Sequence, residues 1–216
     1  MKIVLEKNQK LFFTSDTHYN HANICSATTK WDVNDGYARP FDSLEQMNDT
    51  LVDNINNKVG ENDILVHLGD WSFNGFESIA EFRNRIVCKN VHLILGNHDH
   101  HIENNKNGIQ ELFLSVQHYA ELDVRRYPNR ATVEKFRFVC MHYPIASWKD
   151  MNQGVIHLHG HVHLPANLRI ADGRAMDVGV DGNSLEPISL DEILSLMKGR
   201  EVKKLALPKD HHEKRI

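Results

Sequence analysis

Five short apolar stretches in this chain each stop abruptly at glycine, carboxylate, amide or imidazole. KLFFTSD runs into Asp16-Thr17-His18 and DILVHLGD into Gly69-Asp70. NVHLILGN runs into Gly96-Asn97-His98-Asp99, KFRFVCMH into His142-Tyr143-Pro144, and VIHLHGH into Gly160-His161-Val162-His163. Runs this short, rich in Val, Ile, Leu and Phe and cut off by polar groups, favour strands over buried helix. In open α/β sheets, ligands bind beyond the carboxyl ends of strands, so five such endings converge on one edge.

Helical patterns lie between these runs. In DSLEQMNDTLVDNINNKVG, Leu44, Met47, Leu51, Ile55 and Val59 form one apolar stripe, with Asp42 or Ser43 as the cap and Gly60 as the stop. ESIAEFRNRIVCK predicts a second helix with Ile79, Phe82 and Ile86 on one face. SLDEILSLMKG predicts a third, opened by a Ser189/Glu192 capping box and closed at Gly199. The stretch around YPNR reads as a β-hairpin, and an Asp-Gly turn at 172–173 suggests another. The first half therefore reads βαβ and the second half mostly antiparallel. An α/β sandwich of two packed sheets with helices outside fits that order.

At 216 residues, with 41% hydrophobic and 25% charged, the chain suits one domain over 1–200 and a charged tail over 201–216. A net charge of −4 argues against a partner such as extended nucleic acid or an anionic membrane surface. Glu6, Lys7 and Lys10 interrupt the first apolar run, so no signal peptide is visible. No stretch approaches the roughly 18 apolar residues of a membrane span. Cys25, Cys88 and Cys140 are too few and too scattered for a disulfide framework, and read as small buried hydrophobes. A cytoplasmic location is the expectation. Nothing in the sequence specifies an oligomeric state.

The strand endings offer Asp16, His18, Asp70, Asn97, His142, His161 and His163 as potential metal ligands. Hard oxygens mixed with imidazoles suit divalent ions such as Mn, Fe, Co, Ni or Zn. Seven groups exceed one tetrahedral site and suit two ions with one carboxylate shared, for which Asp70, alone after its strand, is the natural bridge. Two ions about 3.5–4 Å apart clamp both oxygens of an in-line displacement at phosphorus. Asp16 and His18 are two apart, as are His161 and His163, which in extended chain puts each pair on one side.

The same series, from Asp16-x-His18 to Gly160-His161-Val162-His163, resembles the calcineurin-like metallophosphoesterase superfamily. No motif of that set is missing. The resemblance implies an α/β, two-sheet αββα-type sandwich with a metal site at the C-terminal edge of its strands. It implies that Asp16, His18, Asp70 and His163 hold one ion, and Asp70, Asn97, His142 and His161 the other. It implies that His98 donates a proton, with Asp99 orienting it. The expected activity is hydrolysis of small phosphomonoesters or phosphodiesters, nucleotides among them, by a water that two divalent ions activate. Manganese is the first expectation. The alternatives are a metal-bound interaction module with incidental hydrolysis, against which the intact His98 argues, and a nuclease-like phosphodiesterase.

The chain has 15 histidines. His67, His92, His157 and His159 lie within strand candidates and read as core or supporting groups rather than ligands. His21 is balanced between substrate contact and structural hydrogen bonding. His100 and His101 read as exposed, His211 and His212 as solvated in the tail. Tyr143 is a pocket-wall candidate. Arg125, Arg126 and Arg130 either grip phosphate or, the better expectation, form a solvated hairpin face.

Overall fold

Strands β2 (Leu11–Thr14) and β3 (Ile64–His67) are buried along their whole length. Parallel strands covered on both faces need such continuous apolar runs. β4 (Asn90–Ile94) lies parallel to β3, and β5 (Ser115–Gln117) parallel to β4. β10 (Ile188–Ser189) closes this first sheet antiparallel to β2, giving the order β10-β2-β3-β4-β5. The computed structural model describes residues 1–30, 38–104, 106–171 and 173–203.

The second sheet contains β1 (Lys2–Leu5), β6 (Tyr119–Asn129), β7 (Thr132–Met141), β8 (Ile156–His159) and β9 (Ala175–Asp177), in the order β1-β6-β7-β8-β9. Along β6, Ala120, Leu122 and Val124 are buried, while Glu121, Asp123 and Arg125 face outward. That alternation marks a sheet with one packed face and one wet face. Phe13 of the first sheet meets Phe138 of the second at 5.4 Å between rings, within a shared core that includes Val66, Ile94, Leu122 and Leu158.

The two-sheet α/β sandwich is thus as expected, with helical cover unevenly shared. Helix α1 (Leu44–Lys58) starts where Ser43 Oγ accepts the Gln46 amide at 3.0 Å. Its Met47, Leu51 and Ile55 are buried, each worth about 1.5–3 kcal/mol for a fully buried side chain. Helix α2 (Gly75–Arg85) contributes Ile79 and Phe82 to the same outer side of the first sheet, against Phe12, Leu65 and Leu93. It stops short of Ile86, which turns extended towards β4. The short α3 (His100–Glu103) follows the β4 loop. Helix α4 (Leu190–Leu196) has the Ser189/Glu192 capping box and sends Leu190 and Ile193 into the inter-sheet core. It ends three residues before Gly199, which takes φ +74°.

The second half is not mostly antiparallel. β7, β8 and β9 run parallel, and antiparallel pairing among the described strands is limited to β6/β7 and β10/β2. The YPNR hairpin forms, with a register irregularity between Arg126 and Asn129 where Pro128 has no amide to donate. The second hairpin is reduced to a single bridge, Ile170 to Met176, because β9 pairs with β8 instead. Asp172 of its turn, and the tail beyond Lys203 with His211 and His212, lie outside the described residues. All three cysteines are buried and free. Among the described residues, no helix is long and apolar enough to cross a membrane.

Candidate metal centre

The ends of β2, β3 and β4 in one sheet and β7 and β8 in the other bring all seven proposed ligands to one edge. Ligand atoms of Asp16, His18 and His163 lie within 4.8 Å of one another, and so do those of Asp70, His142 and His161. Asn97 joins the second group, its Oδ1 lying 3.1 Å from His142 Nε2. Asp70 Oδ2 stands between the groups, 3.6 Å from His18 Nε2 and 3.5 Å from His142 Nε2.

The local backbone differs from the extended alternation expected for the two-apart pairs. Asp16, His18, Asp70, His161 and His163 all have left-handed φ, between 48° and 73°. Such conformations cost roughly 1–2 kcal/mol for a residue with a Cβ. Tertiary contacts hold them. The amides of Asp16 and His18 donate to the carbonyls of Gly69 and Asp70, and the His161 amide donates to the Asp16 carboxylate at 3.0 Å. Two glycines make room for this crossing of loops. A Cβ on Gly96 would overlap Asp70, and one on Gly160 would overlap Ser15 and Asp16.

Burial sets the charges. It pushes the Asp16 carboxyl up to about 8, against the pull of His163 and with the help of Asp70 and Asp177. It raises Asp70 as well, opposed by the His98 amide and the surrounding imidazoles. It drives His18 well below the ordinary imidazole value, and His142 down to about 4. His18 and His163 turn their Nε2 atoms towards each other at 3.1 Å. His163 goes the other way, raised against its burial by the Asp181 hydrogen bond and the Asp16 and Asp181 charges. Imidazoles facing carboxylates that burial disfavours as anions are a donor set that fits divalent cations.

His98 is exposed on the β4 loop, its ring 4.8 Å from Phe73 and 5.6 Å from His18. Asp99 does something other than orient it. The Asp99 carboxylate accepts the amides of Asp70 (2.8 Å), Gly96 (2.8 Å) and Trp71 (2.9 Å). It ties the β3 and β4 loops together and so places Asp70 and Asn97. The expectation that it fixes the His98 imidazole is replaced by this role, since a buried carboxylate saturates its acceptors on the nearest unpaired amides.

His21 borders the site, stacked on Phe73 at 3.6 Å. Tyr143 flanks the opposite side, 4.7 Å from the His161 ring. His67, His157 and His159 are buried and serve as supports. His67 Nε2 pairs with Thr17 Oγ1 at 2.9 Å beneath the Asp16 loop, and His92 pairs with Ser115. His100 is exposed, whereas His101 is half-buried beside Phe76. Arg125 pairs with Asp123, and Arg126 with Glu134 and Asp191. They sit near the start of β7, whose other end carries His142, so the arginine cluster lies away from the site.

Sequence reading missed three residues. Arg39, 3% exposed, donates to the carbonyls of Asp16 and Thr17 and forms a two-pronged ion pair with Asp181. Asp181 in turn accepts from His163 Nδ1 at 2.6 Å. Asp177 accepts the Gly179 and Leu164 amides. None of the three stands in a ligand-spaced motif, so no local signal marks them.

Fold and ligand set together define a metal-binding edge on a two-sheet α/β sandwich. The chain belongs to the calcineurin-like phosphoesterase family, whose sequence model matches residues 9–195. It is 31% identical over 201 residues to the uncharacterised protein MJ1445 of Methanocaldococcus jannaschii, a match spanning 90% of this chain and 96% of that one. The crystal structure of AQ665 from Aquifex aeolicus, a protein of unknown function, aligns with a TM-score of 0.60 at 23% identity, over 88% of this chain and 100% of that one. That second likeness is one of fold. Family membership and the two candidate ligand groups support a metal-dependent phosphoesterase.

Proposed function

We propose that this protein hydrolyses small phosphomonoesters or phosphodiesters, nucleotides among them, with two divalent ions. Manganese is the first choice, and Fe, Ni, Co and Zn are alternatives. Asp16, His18, Asp70 and His163 hold one ion, and Asp70, Asn97, His142 and His161 the other. The observation that carries this reading is Asp70 Oδ2, placed within 3.6 Å of a histidine from each group. When bound, the ions activate a water to attack phosphorus and draw charge off the phosphoryl oxygens.

The chain's own residues do the rest. His98 is exposed beside the first group and outside the ligand set, where its imidazole can protonate a departing oxygen. Asn97, His98 and His161 are exposed along an open edge, which supports diesters as well as monoesters. The test is a panel of both ester types with Mn, Ni, Co, Zn and Mg, alongside elemental analysis. Two ions per chain and ester turnover are expected. Saturation at one ion sinks the two-ion centre, and silence across the panel with both ions filled sinks the hydrolase.

His98→Asn separates chemistry from metal binding. Both ions are retained and single-turnover rates fall about 10²–10⁴-fold, as loss of a general acid does. The loss is larger for an alkyl ester than for a nitrophenyl ester of equal charge, because nitrophenolate departs without a proton. Equal losses would assign His98 to phosphoryl charge alone.

A further inference from the structure

Arg39 and Asp181 lie far apart in sequence and join at the back of the first ligand group. Arg39 Nε and Nη2 grip the two Asp181 oxygens at 2.8 and 3.0 Å. The same guanidinium holds the Thr17 carbonyl at 2.8 Å and the Asp16 carbonyl at 2.7 Å. One buried side chain thus fastens the loop carrying Asp16 and His18 to the loop carrying Asp181. A guanidinium suits this junction because its planar fork addresses a carboxylate and two carbonyls at once.

The Asp181 loop is itself held under strain. Ser184 and Leu185 take left-handed φ of 57° and 60°. Helix α1 pins them, with Asn54 Nδ2 donating to the Leu185 carbonyl at 3.1 Å and Lys58 paired with Glu186 at 3.2 Å. A leucine in that conformation persists only where its surroundings over-determine it. The outcome is an Asp181 carboxylate delivered to His163 Nδ1 at 2.6 Å, while His163 Nε2 faces His18 and Asp16 at 3.1 and 3.8 Å.

We propose that Asp181, locked by Arg39, is a positioning residue that holds His163 in the Nδ1–H tautomer, so that its Nε2 lone pair points into the Asp16/His18 group. A carboxylate accepts and does not donate, so the proton on His163 must sit on Nδ1 for the 2.6 Å bond to form. The inference rests on the two-ion reading of the site but not on its chemistry. Arg39 acts one step further back, since without its fork the Asp181 carboxylate is free to swing towards solvent.

The test has a metal-free arm and a metal arm. In histidine-labelled apoprotein, at a pH high enough for His163 to be neutral, long-range proton–nitrogen NMR should show it as the Nδ1–H tautomer in the wild type and as a mixture in Asp181→Ala. In manganese titrations read by electron paramagnetic resonance, Asp181→Ala should weaken one of two sites about 10–100-fold, the usual cost of losing a group that orients a ligand histidine. The other site should stay at its wild-type affinity. Asp181→Asn, whose carbonyl still accepts from Nδ1–H, should restore the tautomer and part of the affinity. Arg39→Lys should fall between. In a His163→Ala background, Asp181→Ala should cost nothing more.

An Nε2–H tautomer in the wild type would overturn the proposal. So would equal weakening of both sites, or a further loss in the His163→Ala background. If Asp181→Ala does not fold, Asp181→Asn and Arg39→Lys carry the same comparison. A wild type that binds a single ion would sink the two-ion reading, and the apoprotein tautomer would still decide the role of Asp181.

Discussion

Each ligand group has a carboxylate and two imidazoles, the second adding the Asn97 amide, and the two are held in different ways. Asp16 and His18 are buried, and the Arg39–Asp181 pair braces their partner His163 from behind. In the second group Asp70 and His142 are buried, but Asn97 and His161 stand at the surface. Its bracing comes from main chain: Asp99 gathers three amides, and His142 Nδ1 bonds the Leu68 carbonyl at 2.7 Å. One group is stiffened by a side-chain ion pair bridging distant loops, the other by the loops themselves. A solvent-facing ligand loses more conformational entropy when an ion arrives. On the two-ion reading proposed above, the ion of the second group should therefore be the more readily exchanged.

Breaking the comparison at its shared point gives the largest effect. Asp70→Asn removes the carboxylate both groups use, so elemental analysis should show loss of metal from both sites and turnover should fall to background. Retention of one tight ion would make Asp70 the property of a single group. His18→Ala and His142→Ala come next. Each should lower the metal content by about one ion, in a centre holding two ions with separate ligand sets. Dialysis against a weak chelator should strip the Asn97/His161 side first, and release of both ions together would erase the difference.

A smaller effect isolates the main-chain brace. Asp99→Asn sets an amide nitrogen against a backbone N–H in a buried turn, at a cost of about 1–3 kcal/mol. Urea unfolding of the apoprotein should register that loss, and metal titration should show the larger weakening at the second group, where both Asp70 and Asn97 depend on the Asp99 brace. The smallest effect on the metal centre lies outside both groups. His157 donates from Nδ1 to the Val139 carbonyl and accepts the Ile145 amide at Nε2, so the fold requires it neutral. Burial lowers it to about 4, from 6.5 in the unfolded chain. Its contribution is complete above pH 6.5 and is lost as pH falls towards 4, by about 3 kcal/mol at most. His157→Gln should flatten that slope of apoprotein stability while leaving metal content unchanged.

What the linear sequence determined was the set of groups and where each would stand. Short apolar runs that stop at Asp, Asn, His and Gly are strands with candidate ligands at their carboxyl ends, and the structure brings all seven candidates together. The α1 and α4 caps were equally legible, because a side chain three residues from its amide partner is a local fact. Three things were decided by the tertiary structure. β9 chose the edge of β8 over its own hairpin, since pairing in a buried sheet outweighs a turn signal. Asp99 turned to the amides of Asp70 and Trp71 rather than to the neighbouring imidazole. Arg39 and Asp181, separated by 142 positions, met only because two sheets packed their loops together. Local chemistry is written in short motifs, whereas the groups that orient it are chosen by proximity in space. A buried charge takes whichever partner the fold brings near, and no spacing in the chain announces which that will be.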